Sequence, residues 1–171
     1  MPDVTASCGP SRPDVPGALL LHPVSIVAVA VLLVNDHVLK GAFPGPITGK
    51  LSDAAGLVLA PLVGVALVEV ALAAAHRPWG PRRGLATAWV GAVGLGFAAA
   101  KLFEPAADVY RATLAVLQWP FAAVIELLRS GTLPDLRSVA FVADPTDLLA
   151  LPALLLPLWL GWRRAQRRTG S

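Results

Sequence analysis

From Leu51 to Ala75 the chain carries only three side chains with a hydroxyl or a charge, Ser52, Asp53 and Glu69. About 20 consecutive apolar residues are what a helix needs to cross a bilayer, and a water-soluble helix has no use for so wide an apolar surface. The run is one of several. Ala18 to Val34 is apolar up to the polar stretch Asn35-Asp36-His37, Gly84 to Phe103 carries no charge before Lys101, and Leu148 to Trp162 ends on Trp159 and Trp162, placed as interface anchors. With 56% apolar and 15% charged residues, against roughly 45–50% and about 25% in soluble domains, the chain reads as an integral membrane protein. Spans of about 20 residues with short loops use up its length and leave no room for a separate soluble domain.

Charge predicts the topology. Arg77, Arg82 and Arg83 follow the second apolar run, and Arg163, Arg164, Arg167 and Arg168 follow the last. Basic clusters beside spans mark the cytoplasmic side, so they are read as topology signals and not as a nucleic-acid patch. The expected organisation is a disordered, proline-rich tail over residues 1–17, a transmembrane domain over 18–162 and a basic cytoplasmic tail over 163–171. Cys8 is the sole cysteine, which excludes an intramolecular disulfide. No apolar run precedes it, so neither a lipoprotein signal nor a cleavable signal peptide is expected.

Residues 112–128 are apolar but contain Gln118, Pro120 and Glu126. If this segment crosses, the two arginine clusters fall on opposite sides; if it is re-entrant or interfacial, both face the cytoplasm. The preferred fold is therefore an all-α, polytopic transmembrane bundle of four spans plus one re-entrant or interfacial helix, with five spans as the alternative. The preferred topology also brings residues 35–53, 101–111 and 144–147 to the non-cytoplasmic face. Gly56, Ala60 and Gly64 in the second span, and Gly84, Ala88, Ala92, Gly96 and Ala100 in the third, recur every four residues. Small residues at that spacing predict close helix contact, within the chain or with a partner helix or second copy.

The candidate site residues are Asp36, His37, Lys40, Lys50, Asp53, Lys101, Asp144 and Asp147. Asp36 and Lys40 stand at i and i+4 and can pair. Thr48 or Ser52 is a plausible N-cap for the second span, with Asp53 in its first turn. Asp144-Pro145-Thr146-Asp147 reads as an N-cap, a proline at the first helical position and an acid reaching back as in a capping box. The chain has eleven arginines and three lysines, and all three lysines sit in or beside these polar segments. Asp36, Asp53, Asp144 and Asp147, with His37, are residue types that ligate a divalent ion, the lysines then facing a phosphate. That makes a divalent metal the one cofactor to consider. The chain lacks an HExxH pair, a P-loop, a Gly-x-Ser-x-Gly elbow and a paired-aspartate lipid-transferase motif.

The strings NDHVLK (35–40), FPGPITGKLSDAAGL (43–57) and DPTDLLALP (144–152) resemble the shared segments of a group of small, uncharacterised bacterial integral membrane proteins. The resemblance covers about residues 20–162 and implies a multi-pass protein of the bacterial cytoplasmic membrane with a common polar site, without implying an activity. Three functional readings follow. One is a polar site at one membrane face that binds or modifies a lipid or small anionic ligand, with membrane lipids as its partners. Another is a non-catalytic scaffold or accessory subunit whose charges are structural. The third is a small ion- or proton-coupled transporter that uses Glu69 and Glu126.

Overall fold

Prolines and glycines mark most helix boundaries in the computed structural model, which describes residues 15–43, 45–135 and 144–169. After a 3₁₀ turn at Ala18–Leu21, α1 (Pro23–Ala42) begins with Pro23 in its first position, and the His22 ring accepts the Val24 N–H at 3.2 Å. A proline there lacks only an N–H that the helix could not have used. α2 (Pro46–Ala74), α3 (Arg83–Leu102) and α4 (Glu104–Ser130) follow, and a 3₁₀ stretch, Pro145–Leu154, leads into α5 (Leu155–Thr169). Helices are the only regular elements among the described residues.

Four segments are long and apolar enough to cross a bilayer: Pro23–Ala42, Ile47–Ala74, Arg83–Leu102 and Pro145–Arg167. Their outward side chains are apolar, with Ile26, Leu95, Leu149 and Leu155 each more than half exposed. A surface of that kind is stable against lipid tails and a liability in water. The chain is an all-α, multi-pass membrane bundle. α2 lies at its centre, packed against α1, α3 and the 3₁₀ stretch. Leu62, Val58 and Val65 of α2 form one core with Leu19 and Leu160, and Leu57 forms a second with Phe97, Ala150 and Leu154.

Several boundaries differ from the sequence reading. α1 does not stop at Asn35; a π-helical turn at Asn35–Leu39 carries it on to Ala42. The polar side chains are tolerated there because α2 satisfies them, as described below. α2 starts at Pro46, earlier than Leu51, after Gly45 and with no side-chain cap. Thr48 and Ser52 are therefore not N-caps. The Thr48 hydroxyl instead donates to the Gly45 carbonyl at 2.8 Å. Residues 15–17, counted with the tail from sequence, are bonded to the bundle: the Gly17 N–H donates to Glu69 at 2.9 Å. Cys8, the tail up to residue 14 and residues 136–143 lie outside the described residues.

The small-residue stripes divide into two kinds. A Cβ on Gly64 would overlap the Trp89 ring, and one on Gly161 would overlap Ala86, so both positions are true close approaches. At Gly56, Gly84 and Gly96 a Cβ would meet open space. The predicted continuous seams are thus interrupted: Trp89 needs the room beside Gly64, whereas beside Gly56 and Gly96 the helices part around a cavity.

The course of α4 follows from one contact. Lys101, near the end of α3, pairs with Asp147, near the start of the last span, at 2.6 Å, so Phe103 and Asp144 lie at the same face. α4 starts at that face. α4 bends by 45° between Glu104–Pro120 and Ala122–Ser130, at a proline that lacks the N–H for the helical ladder. Gly131 ends it in the left-handed conformation, φ 73°, and the Trp119 indole N–H donates to the Pro134 carbonyl at 3.1 Å as the chain turns back. Such a bend marks a broken span or a re-entrant loop; the Trp119–Pro134 bond favours the re-entrant one, in which the arginines at the ends of α2, α3 and α5 share the face opposite Lys101. In a Cys8→Ser background, cysteines at Arg77 and Gln166 should react with an impermeant maleimide from one side and a cysteine at Glu104 from the other. Labelling of 77 and 166 from opposite sides would refute it.

Candidate functional site

The π turn of α1 turns Asn35 towards α2, where it is fully buried. Its amide nitrogen donates to the Thr48 carbonyl at 2.7 Å and to the Ser52 hydroxyl at 2.6 Å, and Ser52 in turn donates to Asp36 at 2.8 Å. Because a carbonyl can only accept, the Thr48 bond fixes the orientation of the amide. The Asn35 Oδ1 is left without a hydrogen-bond partner among the described residues. Asp36 also pairs with Lys40 at 2.8 Å, one turn on, and both are about half exposed. Single-residue π bulges of this kind recur at functional positions.

Beside this chain of bonds lies a tighter network. Asp147 sits between two lysines, with Lys50 at 3.2 Å and Lys101 at 2.6 Å, and Lys101 also reaches Asp53 at 3.2 Å. Lys50 donates to the Thr146 hydroxyl at 2.8 Å as well. The Lys101 side chain is 4% exposed, and its ammonium stands 5.4 Å from the Phe97 ring centroid. Two full charges of each sign therefore neutralise one another where α2, α3 and the 3₁₀ stretch meet, which is how ionisable groups persist at membrane depth. Asp144 caps the 3₁₀ stretch as predicted. Its carboxylate accepts the Thr146 N–H at 2.8 Å, and that bond holds its pKa below the usual carboxylate range. Asp147 does not complete a capping box, because the lysines take its carboxylate.

Below the network, between α2, α3 and α4, is a cavity of about 650 Å³. Its apolar wall includes Gly56 and Ala60 of α2, Val93, Gly96 and Phe97 of α3 and Val109 of α4. Ser52, Asp53, Tyr110 and Thr113 supply the polar groups. From Ser52 to Ala60 the wall runs about 12 Å along α2 at the helical rise. Further along α2, Val58, Leu62 and Val65 fill the interior between this site and Glu69.

Of the residues singled out from sequence, Lys50, Asp53, Lys101 and Asp147 converge, and Asp36 and Lys40 form a separate pair bonded to Ser52, the neighbour of Asp53 in α2. His37 does not. Its ring bonds the Leu33 carbonyl at 3.0 Å on an exposed surface, because in a helix adjacent residues point about 100° apart. Among the described residues no group of three His, Cys, Asp or Glu side chains is placed to hold a metal ion. Asp36, Asp53, Asp144 and Asp147 are thus not assembled as a ligand set, since each is held by a lysine, a hydroxyl or a backbone N–H. Asn35, Ser52, Phe97, Tyr110 and Thr146 were missed as site residues. The signal for Asn35 was a polar amide inside an otherwise apolar helix; Phe97 and Tyr110 offered none, since aromatic residues in spans are ordinary. Comparisons with protein-family models, curated proteins and solved structures return no match.

Proposed function

We propose that the protein binds a membrane amphiphile, with the apolar part in the cavity between α2, α3 and α4 and the polar end at Ser52, Asp53 and Tyr110. The observation that carries this reading is a cavity of about 650 Å³ with mostly apolar walls, in which Ser52, Asp53 and Tyr110 are polar groups and Thr113 lies about one turn further along α4. Its size falls within the roughly 300–1,000 Å³ of small-molecule sites. The charged network above it supports binding rather than chemistry: every lysine and aspartate in it is engaged with another. The apolar packing between Asp53 and Glu69 supports binding over transport, which needs a polar path along that line. By the positive-inside bias the arginine-rich face is cytoplasmic, and the site opens towards the opposite side of a bacterial cytoplasmic membrane.

Nanodiscs offer a direct test. Radiolabelled dodecanol should bind saturably to the nanodisc-held protein above the background of empty discs. Gly56→Leu places a side chain in the cavity, where a Cβ meets only open space, and should abolish that binding with little effect on stability. Undiminished saturable binding by this variant would overturn the assignment.

A further inference from the structure

The charged group in the cavity wall is a carboxylate. Asp53 is the one charged side chain among the described residues that line it. The lysines, which from sequence alone would face an anion, are held by other groups: Lys50 by Asp147 and the Thr146 hydroxyl, and Lys101, whose ammonium stands 5.4 Å from the Phe97 ring centroid, by Asp147 and Asp53. Neither of them lines the cavity. Two aromatic rings, Phe97 and Tyr110, stand with Asp53 in the same wall. A carboxylate beside aromatic rings in a water-poor site is the chemistry that recognises an ammonium group, through charge and through the negative faces of the rings. On α4 beside this end of the cavity, Arg111 is held by Asp108 at 2.6 Å and Glu104 at 3.6 Å. Those three groups carry one acidic charge in excess, so α4 adds no net positive potential.

We infer that the occupant is an alkylammonium amphiphile, its ammonium head against Asp53, Phe97 and Tyr110 and its chain running along Gly56 and Ala60. This rests on the amphiphile-binding reading and specifies its head group. An anionic head in the same place would meet the Asp53 carboxylate, since Lys101, which pairs with it at 3.2 Å, is not itself part of the wall. The ammonium instead shares with Lys101 the one carboxylate among the described residues that line the cavity.

The test uses the full chain in nanodiscs of a digalactosyl lipid, a bilayer with neither ammonium nor phosphate. Dodecyltrimethylammonium, dodecanol and dodecanoate are compared as radiolabelled probes, with affinities expressed against the concentration of each probe in the bilayer. The ammonium probe should bind about tenfold or more tightly than dodecanoate, with dodecanol between them. Asp53→Asn should remove most of that preference while dodecanol binding persists. Because Asp53 also supports Lys101, Phe97→Leu serves as a second variant and should weaken the ammonium probe selectively. Equal or tighter binding of dodecanoate would overturn the ammonium assignment and leave amphiphile binding intact. Saturable binding of none of the three would overturn both.

Discussion

Lys101→Met should lower the stability of the protein by about 3–5 kcal/mol, the cost of breaking a buried charge network by removing one partner. Lys101 is 4% exposed and lies between Asp147 at 2.6 Å and Asp53 at 3.2 Å. Without it, two carboxylates from α2 and the 3₁₀ stretch face each other at the end of an apolar core, with only Lys50 left to balance Asp147. The loss should appear as a lower midpoint of thermal unfolding in mild detergent. Adding Asp53→Asn to Lys101→Met should recover much of it, because Lys50 and Asp147 then remain as one balanced pair and no carboxylate is left unpaired. Lys101→Arg should not recover it: a planar fork does not fit a site shaped for a compact ammonium against the Phe97 ring. A Lys101→Met variant as stable as the parent would show that the network is not holding the helices together.

The second large effect belongs to the opposite face. Glu69 is 1% exposed, and its two carboxylate oxygens accept from one nitrogen of Arg164 at 2.8 and 2.9 Å. The same carboxylate accepts the Gly17 N–H, and Arg164 also donates to the Val15 carbonyl at 3.1 Å. One ion pair thus ties α2, α5 and the chain before α1. Glu69→Leu should cost about 3–5 kcal/mol through the unpaired arginine, and amide hydrogen exchange over residues 15–22 should rise more than elsewhere in the bundle. The double variant with Arg164→Met should be more stable than the sum of the single losses, since it leaves no orphaned charge. Additive losses would mean that the pair is not coupled.

These two sites show where sequence reasoning reached and where it stopped. Lys101, Asp53 and Asp147 were legible as candidates because a charge beside an apolar run is anomalous by itself. That they meet was an expectation from topology alone, and it holds because the second, third and last spans end at one face. Glu69 and Arg164 were read separately, one as an anomaly in a span and the other as part of a basic tail; their pairing depends on how α2 and α5 pack. Asp36 and Lys40 were legible as a pair because helical spacing is local information. Thr48 and Ser52 were misread as caps because the start of a helix that follows Gly45 and Pro46 is not marked by a capping side chain.

Hydropathy and charge placement depend on each residue's own chemistry, and from them the sequence alone determined that this is a helical, multi-pass membrane protein and marked four of its spans, while leaving open whether residues 112–128 cross. The tertiary structure decided everything that depends on which side chain stands opposite which. Gly56, Gly64 and Gly96 are the same residue in similar settings along the chain. Only the position of Trp89 against Gly64, and the parting of α2, α3 and α4 beside Gly56 and Gly96, makes one a helix contact and the others the wall of a cavity. The same holds for Asp53: its charge was plain from the sequence, but that it lines the cavity while the lysines do not is a property of the packed helices.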